Sequence, residues 1–436
     1  LNKLQGLSPE AVKKTLTYRY WVYLVIALAY FFVYFHRVSP AVMAPELVKS
    51  FGIDAAALGL FGSMYFYAYA LGQLPSGIMA DRLGVRKTMS VMVLVAGIGA
   101  LIFGWASNFN MALVGRFLVG FGVGFVYVPT MRFLADWFKN DEFATYSGIM
   151  LAVGNTGALA AAAPLVAMMA TIGWRSSMTS VGIISIAIAV LCYLIIRDKP
   201  EHVGGADIKD IQGLPRAASS HAISIGQAIA MTARNYNFWM ISILFFVLYG
   251  SIMAFQGLWA GPFLANVYGM DKAQVGKIVS MIPIGMIFGC PISGILAGKV
   301  IKSPKKTVMI GTFVNIILWI PLIWMIDKMS PGFLSVLFFL YGFFAGWFVV
   351  MYANLKESVN PAIQGTATGF LNTWVFIGGA VCQQVTSIIV AKYQAASGAI
   401  ATAGFKSAFI FLFIILIIGL AAFATQKRPE DVIEEI

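Results

Sequence analysis

Apolar residues run along this chain in blocks of about 20, divided by short polar turns; they neither alternate nor form narrow stripes. A helix rising about 1.5 Å per residue needs about that many apolar residues to cross a bilayer core. Twelve such runs are predicted, near 20–46, 57–80, 87–106, 111–135, 144–170, 177–196, 236–264, 274–297, 306–326, 333–355, 364–391 and 403–425. The expected fold class is an all-α membrane protein with twelve transmembrane helices.

One long polar stretch interrupts the runs six by six, which predicts an N-terminal six-helix bundle over 1–197, a linker over 198–234 and a C-terminal bundle over 235–436. Setting each residue against the one 217 positions later pairs Pro45 with Pro262, Gly52 with Gly269, Asp54 with Asp271, Gly59 with Gly276, Ser63 with Ser280, Gly72 with Gly289 and Ser76 with Ser293. These identities involve Gly, Pro, Asp and Ser, so apolar composition does not account for them. They indicate an internal duplication, hence two pseudo-symmetric bundles. Parallel repeats of this kind are a recurrent transporter plan, with the substrate held between the halves near mid-membrane.

Composition agrees, with 60% hydrophobic and 11% charged residues where soluble domains carry roughly a quarter charged. The net charge of +12 does not point to nucleic acid, because most of the 30 lysines and arginines fall in alternate loops and at the two ends. That bias predicts a multi-pass protein of a bacterial inner membrane with both termini cytoplasmic. Cys192, Cys290 and Cys382 all lie within spans, where they pack; neither a disulfide framework nor a metal site is expected. Residues 1–18 show no cleavable leader pattern, so the first span is expected to direct insertion.

Between the second and third spans runs Gly77-Ile-Met-Ala-Asp81-Arg82-Leu-Gly84-Val-Arg86-Lys87, with a degenerate copy at Gly294-Ile-Leu-Ala-Gly298-Lys299. The fourth span carries Arg116, Gly120, Gly122, Gly124 and Pro129, followed by Asp136-Trp137-Phe138. Loop, duplication and span count together resemble the major facilitator superfamily, which implies secondary transport by alternating access. Opposite charges at adjacent span ends make Asp81, Arg82, Arg86, Arg132 and Asp136 candidate gating residues.

Ionisable groups deep in a span are costly and face a cavity or a partner. Arg37, with His36 beside it, is therefore the first substrate-binding candidate; its other reading is a structural pair with Glu46. Tyr65 and Tyr69 recur with helical spacing on the second span, and Tyr127, Asn155, Gln256, Asn354 and Asn372 complete the candidates. Arg116 reads as packing and coupling first, substrate contact second. Arg37 and the Trp-Phe after the fourth span resemble the organophosphate:phosphate antiporter branch. That branch has a second arginine in its seventh span, where Ala254 stands opposite Arg37 in the repeat.

One arginine fits a carboxylate, amino acid or peptide, and the expected activity is transport of such a small anionic or zwitterionic solute. The alternative is an organophosphate or sugar-phosphate antiporter, and a different class is a transporter-like membrane sensor. His-Glu-x-x-His, Gly-x-Ser-x-Gly and phosphate-cradling Gly-x-x-x-x-Gly-Lys patterns are absent, which argues against an enzyme. The expected partners are the solute, lipid and a proton as one coupling candidate, for a monomer without cofactor, metal or nucleic acid.

Overall fold

The computed structural model describes residues 8–213, 225–360, 363–395 and 400–427, apart from the side chains of Leu74, Ile78, Asp81, Asn140, Asp141, Ala144 and Ile225. Helix accounts for nearly all of it, and among the described residues there is no strand beyond an isolated bridge between Gln394 and Ile400. The first six spans are Pro9–Val38, Ala55–Gln73, Arg82–Gly104, Phe109–Trp137, Asn140–Ala160 and Ala163–Ile195. The last six are Tyr236–Tyr268, Lys272–Val300, Pro304–Trp324, Pro331–Ser358, Gln364–Ala391 and Thr402–Ala424.

Eleven of these, among the described residues, are long and apolar enough to cross a membrane on their own. The fifth is the exception, because Gly148, Gly154, Asn155, Thr156 and Gly157 dilute its apolar face. Its path continues beyond a break at Ala161–Ala162 into the next helix, which Gly173 (φ 76°) divides in turn. The run predicted over 144–170 therefore straddles the break, and the run over 177–196 begins just past Gly173.

The first span differs from its prediction at both ends. Its helix starts at Pro9, so the polar head joins it, and it stops at Val38, where a second helix, Pro40–Phe51, takes over. Proline lacks an N–H, so Pro40 cannot return the helical hydrogen bond to the carbonyl of His36. At the matching place in the seventh span, Phe255–Trp259 winds as a π-helix. Both entry helices are thus irregular at the same depth, next to Arg37 in one and Ala254 in the other.

Most repeated identities have a physical reason. Gly52 and Gly269 both adopt φ 62°, a left-handed helix end that other residues resist. Two residues later Asp54 and Asp271 cap the following helices, accepting from the N–H groups of Ala57 at 2.7 Å and Gln274 at 2.8 Å. Ser76 and Ser293 each donate to the carbonyl three residues back at 2.7 Å. Gly72 lies against the ring of Phe125 and Gly289 against the backbone of Phe343, each where the second span of its half meets the fourth.

Thr15 donates to the carbonyl of Ala206 at 2.8 Å, and Asn237 donates to that of Lys427 at 3.0 Å. Both ends of the described chain and the linker therefore share one face, here called the terminal face. At the opposite, distal face the halves meet. Gly261 lies against the backbone of Ala41, Gly59 against Ser387 and Gly276 against Ala163. The backbone N–H of Ala55 donates to Gln394 Oε1 at 2.6 Å, Ser63 to Gln384 Oε1 at 3.2 Å, and Lys272 pairs with Glu46. Outside this seam a vestibule of about 760 Å³ opens between Lys49, Asp54, Pro262, Asn266 and Gln394.

Candidate functional site

Tyr30, Tyr34 and Arg37 lie one helical turn apart on the first span, so they share a face. That face points at the junction of the halves. The Arg37 guanidinium is 4% exposed and lies 4.4 Å from the ring of Tyr34, 5.4 Å from Tyr69 and 5.4 Å from Phe376 of the eleventh span. Tyr65 and Tyr249 complete the surround. Tyr69 and Phe376 touch across the halves with ring centroids 3.9 Å apart. Tyr249 in turn packs against Phe376 at 5.7 Å.

No carboxylate pairs with Arg37 among the described residues. Glu46, its nearest acid in sequence, is engaged by Lys272 of the other half, which removes the structural pairing considered for it. An arginine stays ionised in a protein, and burying it without an anion is costly. Aromatic faces supply part of the compensation through cation–π attraction.

The other sequence candidates divide. Tyr65 and Tyr69 belong to the surround, although the Tyr65 hydroxyl donates to the carbonyl of Val33 at 3.0 Å. Tyr127 joins through Tyr30, 6.1 Å away, and Tyr352 lies within electrostatic reach of Tyr34, Tyr69, Tyr127 and Tyr249. Tyr352 donates to Asn372 Oδ1 at 2.7 Å, which ties that asparagine to the same group of tyrosines. Gln256 is buried in the π-helical segment of the seventh span. Asn155 donates to the carbonyl of Leu151 on its own helix at 3.0 Å and keeps an unpartnered Oδ1; Asn354 is buried with its Oδ1 also unpartnered. His36 is buried against Phe32 and Phe35, with both ring nitrogens unpartnered.

The gating candidates sit on the terminal face. Arg132 lies 3.7 Å from Asp136 on the next turn, Arg82 is exposed, and the side chain of Asp81 is outside the described residues. Arg86 turns toward the end of the sixth span, where Nε donates to the carbonyl of Tyr193 at 2.7 Å and its backbone N–H donates to Asp198 Oδ1 at 2.9 Å. Sequence reasoning passed over Tyr34 and Phe376. The spacing from Tyr34 to Arg37 was a usable signal for the first; nothing separates Phe376 from the other aromatic residues before the fold is known.

A helical membrane protein duplicated in sequence, with a buried arginine between its halves that pairs with no acid among the described residues, has the architecture of a transporter. The chain belongs to the Major Facilitator Superfamily, whose family model matches residues 26–382. It is 27% identical over 400 residues to the probable hexose phosphate transport protein of Chlamydia trachomatis serovar D, covering 86% of this chain and 85% of that one. It is 23% identical over 391 residues to the probable sulfoacetate transporter of Cupriavidus necator, covering 87% and 89%. Among solved structures, a bacterial homolog of the human lysosomal transporter Spinster, inward-facing and unoccupied, superposes with TM-score 0.74 at 18% identity, covering 96% of this chain and 97% of that one. The likeness to that structure concerns the fold.

Proposed function

We propose that this transporter moves a small phosphate-bearing organic anion, with Arg37 binding the phosphate and the tyrosines binding the rest. The observation that carries it is Arg37, buried between the halves with no acid beside it. A planar guanidinium takes two phosphate oxygens at once. The hydroxyls of Tyr34, Tyr69 and Tyr249 are available for the third oxygen or for sugar hydroxyls, in place of a second arginine. Hexose phosphate and sulfoacetate, named for the relatives, are both organic anions, and the first favours the sugar-phosphate alternative over a carboxylate, amino acid or peptide.

The basic loops favour a cytoplasmic terminal face. Seam contacts at the distal face, continued inward by the Tyr69–Phe376 ring contact, support a conformer closed to the outside. Separation of Glu46 from Lys272 would then expose Arg37 outward.

The test is uptake into liposomes by the purified protein, with thermal-shift measurements against glucose 6-phosphate, inorganic phosphate, sulfoacetate, glucarate, glucose and a dipeptide. Phosphate esters should stabilise the protein and be carried, glucose should do neither. Stabilisation by the dipeptide or by glucarate alone would overturn the phosphate reading. Binding without uptake would favour a sensor.

A further inference from the structure

The carbonyl oxygen of His36 is freed by Pro40, which has no N–H to offer it. Arg116 of the fourth span supplies the replacement, donating Nη1 to that oxygen at 2.5 Å, and Ser39 Oγ donates more weakly at 3.3 Å. The Arg116 guanidinium is 3% exposed, its Nε and Nη2 have no partner, and its charge lies over the rings of Tyr65 at 4.6 Å and Phe61 at 5.4 Å. The same Tyr65 fixes the carbonyl of Val33 one turn earlier. Spans two and four thus hold two carbonyls of the first span, both in the turn that leads into Arg37.

We propose that Arg116 is a positioning residue for Arg37: it caps the carbonyl that Pro40 releases and thereby sets the rotation and depth of the arginine that lies between the halves. A cation suits the task because a charge-assisted hydrogen bond is stronger than a neutral one, and the oxygen it serves is buried. Arg116 reaches no acid among the described residues, so its hydrogen bonding is spent on the first span. The inference rests on the reading of Arg37 as the anion contact.

Pro40→Ala supplies the missing N–H and makes the cap redundant, which gives a cycle of four proteins: the native chain, Arg116→Met, Pro40→Ala and the double variant. Thermal unfolding in detergent, without ligand, reads the cap. Arg116→Met should lower the unfolding temperature by at least about 3 °C, and by less than half as much in the Pro40→Ala background. An equal loss in both backgrounds overturns the cap.

The rate at which phenylglyoxal modifies Arg37, followed by mass spectrometry, reads positioning. Arg116→Met should change it at least about threefold and the double variant should return it toward the Pro40→Ala value. An unchanged rate alongside a coupled stability loss also overturns the proposal, since the break would then be held without effect on Arg37. In liposomes, the KM for glucose 6-phosphate should rise about tenfold in Arg116→Met, with kcat changed less, and recover in the double variant; the same rise in both backgrounds makes Arg116 a direct anion contact. Arg37→Gln removes the anion contact but leaves the stability cycle readable, so failure of the anion reading is distinguishable from failure of the cap.

Discussion

Glu46, midway along the helix that follows Arg37, is paired with Lys272, the first residue of the eighth span in the other half. The pair joins the halves at the distal face and leaves Arg37 without its nearest acid. Both side chains are partly exposed, so their attraction is worth roughly 0.2–1 kcal/mol. That is enough to shift a two-state balance by about fivefold at most. Lys272→Glu should therefore open the distal face, lengthening spin-label distances between Ile53 and Ala395, and Glu46→Lys in the same protein should restore them. Failure of the reversed pair to restore the native distances would assign the seam to the glycine contacts alone.

Orientation gives a second prediction. With the terminal face in the cytoplasm, cysteines introduced at Asn108 and Asp327 should react with an impermeant reagent added outside intact cells, while one at Gly205 should react only after permeabilisation. The opposite pattern would invert the whole assignment and, with it, the side to which the distal seam is closed.

The loop between the second and third spans yields a third. Gly84 has φ 83° and lies against the carboxylate of Asp198, which accepts from the backbone N–H of Arg86. Asp198→Ala should lower stability by about 1.5–3 kcal/mol, the typical size for a lost hydrogen bond to a charged group. Substrate affinity should stay within about twofold. Full stability combined with slowed turnover would instead mark Asp198 as part of a gate.

The duplication was legible because its surviving identities include positions where chemistry leaves little choice: a left-handed glycine, an aspartate cap, a glycine at a helix crossing. Arg37 was legible as a deep charge. Its surroundings were less so, because Tyr34 and Phe376 belong to spans rich in aromatic residues and only packing selects the ones that meet Arg37. The partner of Glu46 is 226 residues away, beyond the reach of local pattern. Pro40 four residues after His36 did announce a free carbonyl, but not that Arg116 would meet it. Arg86 faced several charges within one loop, and its pairing with the end of the sixth span follows from how the third and sixth spans pack.

The last prediction concerns Arg37 itself. Its guanidinium is buried among Tyr34, Tyr69 and Phe376, and Ala254 provides no duplicate in the other half. Lysine would keep the charge but lose the planar fork and much of its stacking on the rings. Arg37→Lys should therefore bind the transported anion weakly, whereas Arg37→Gln should lose about 2 kcal/mol or more, roughly thirtyfold in affinity. Since no acid pairs with Arg37 among the described residues, glutamine leaves no buried carboxylate stranded, and the variant should unfold within a few degrees of the native protein. Calorimetric binding and thermal unfolding on the same samples separate the two effects. A normally folded Arg37→Gln protein that binds and transports the anion unchanged would remove Arg37 from the site and, with it, the reason to expect an anion.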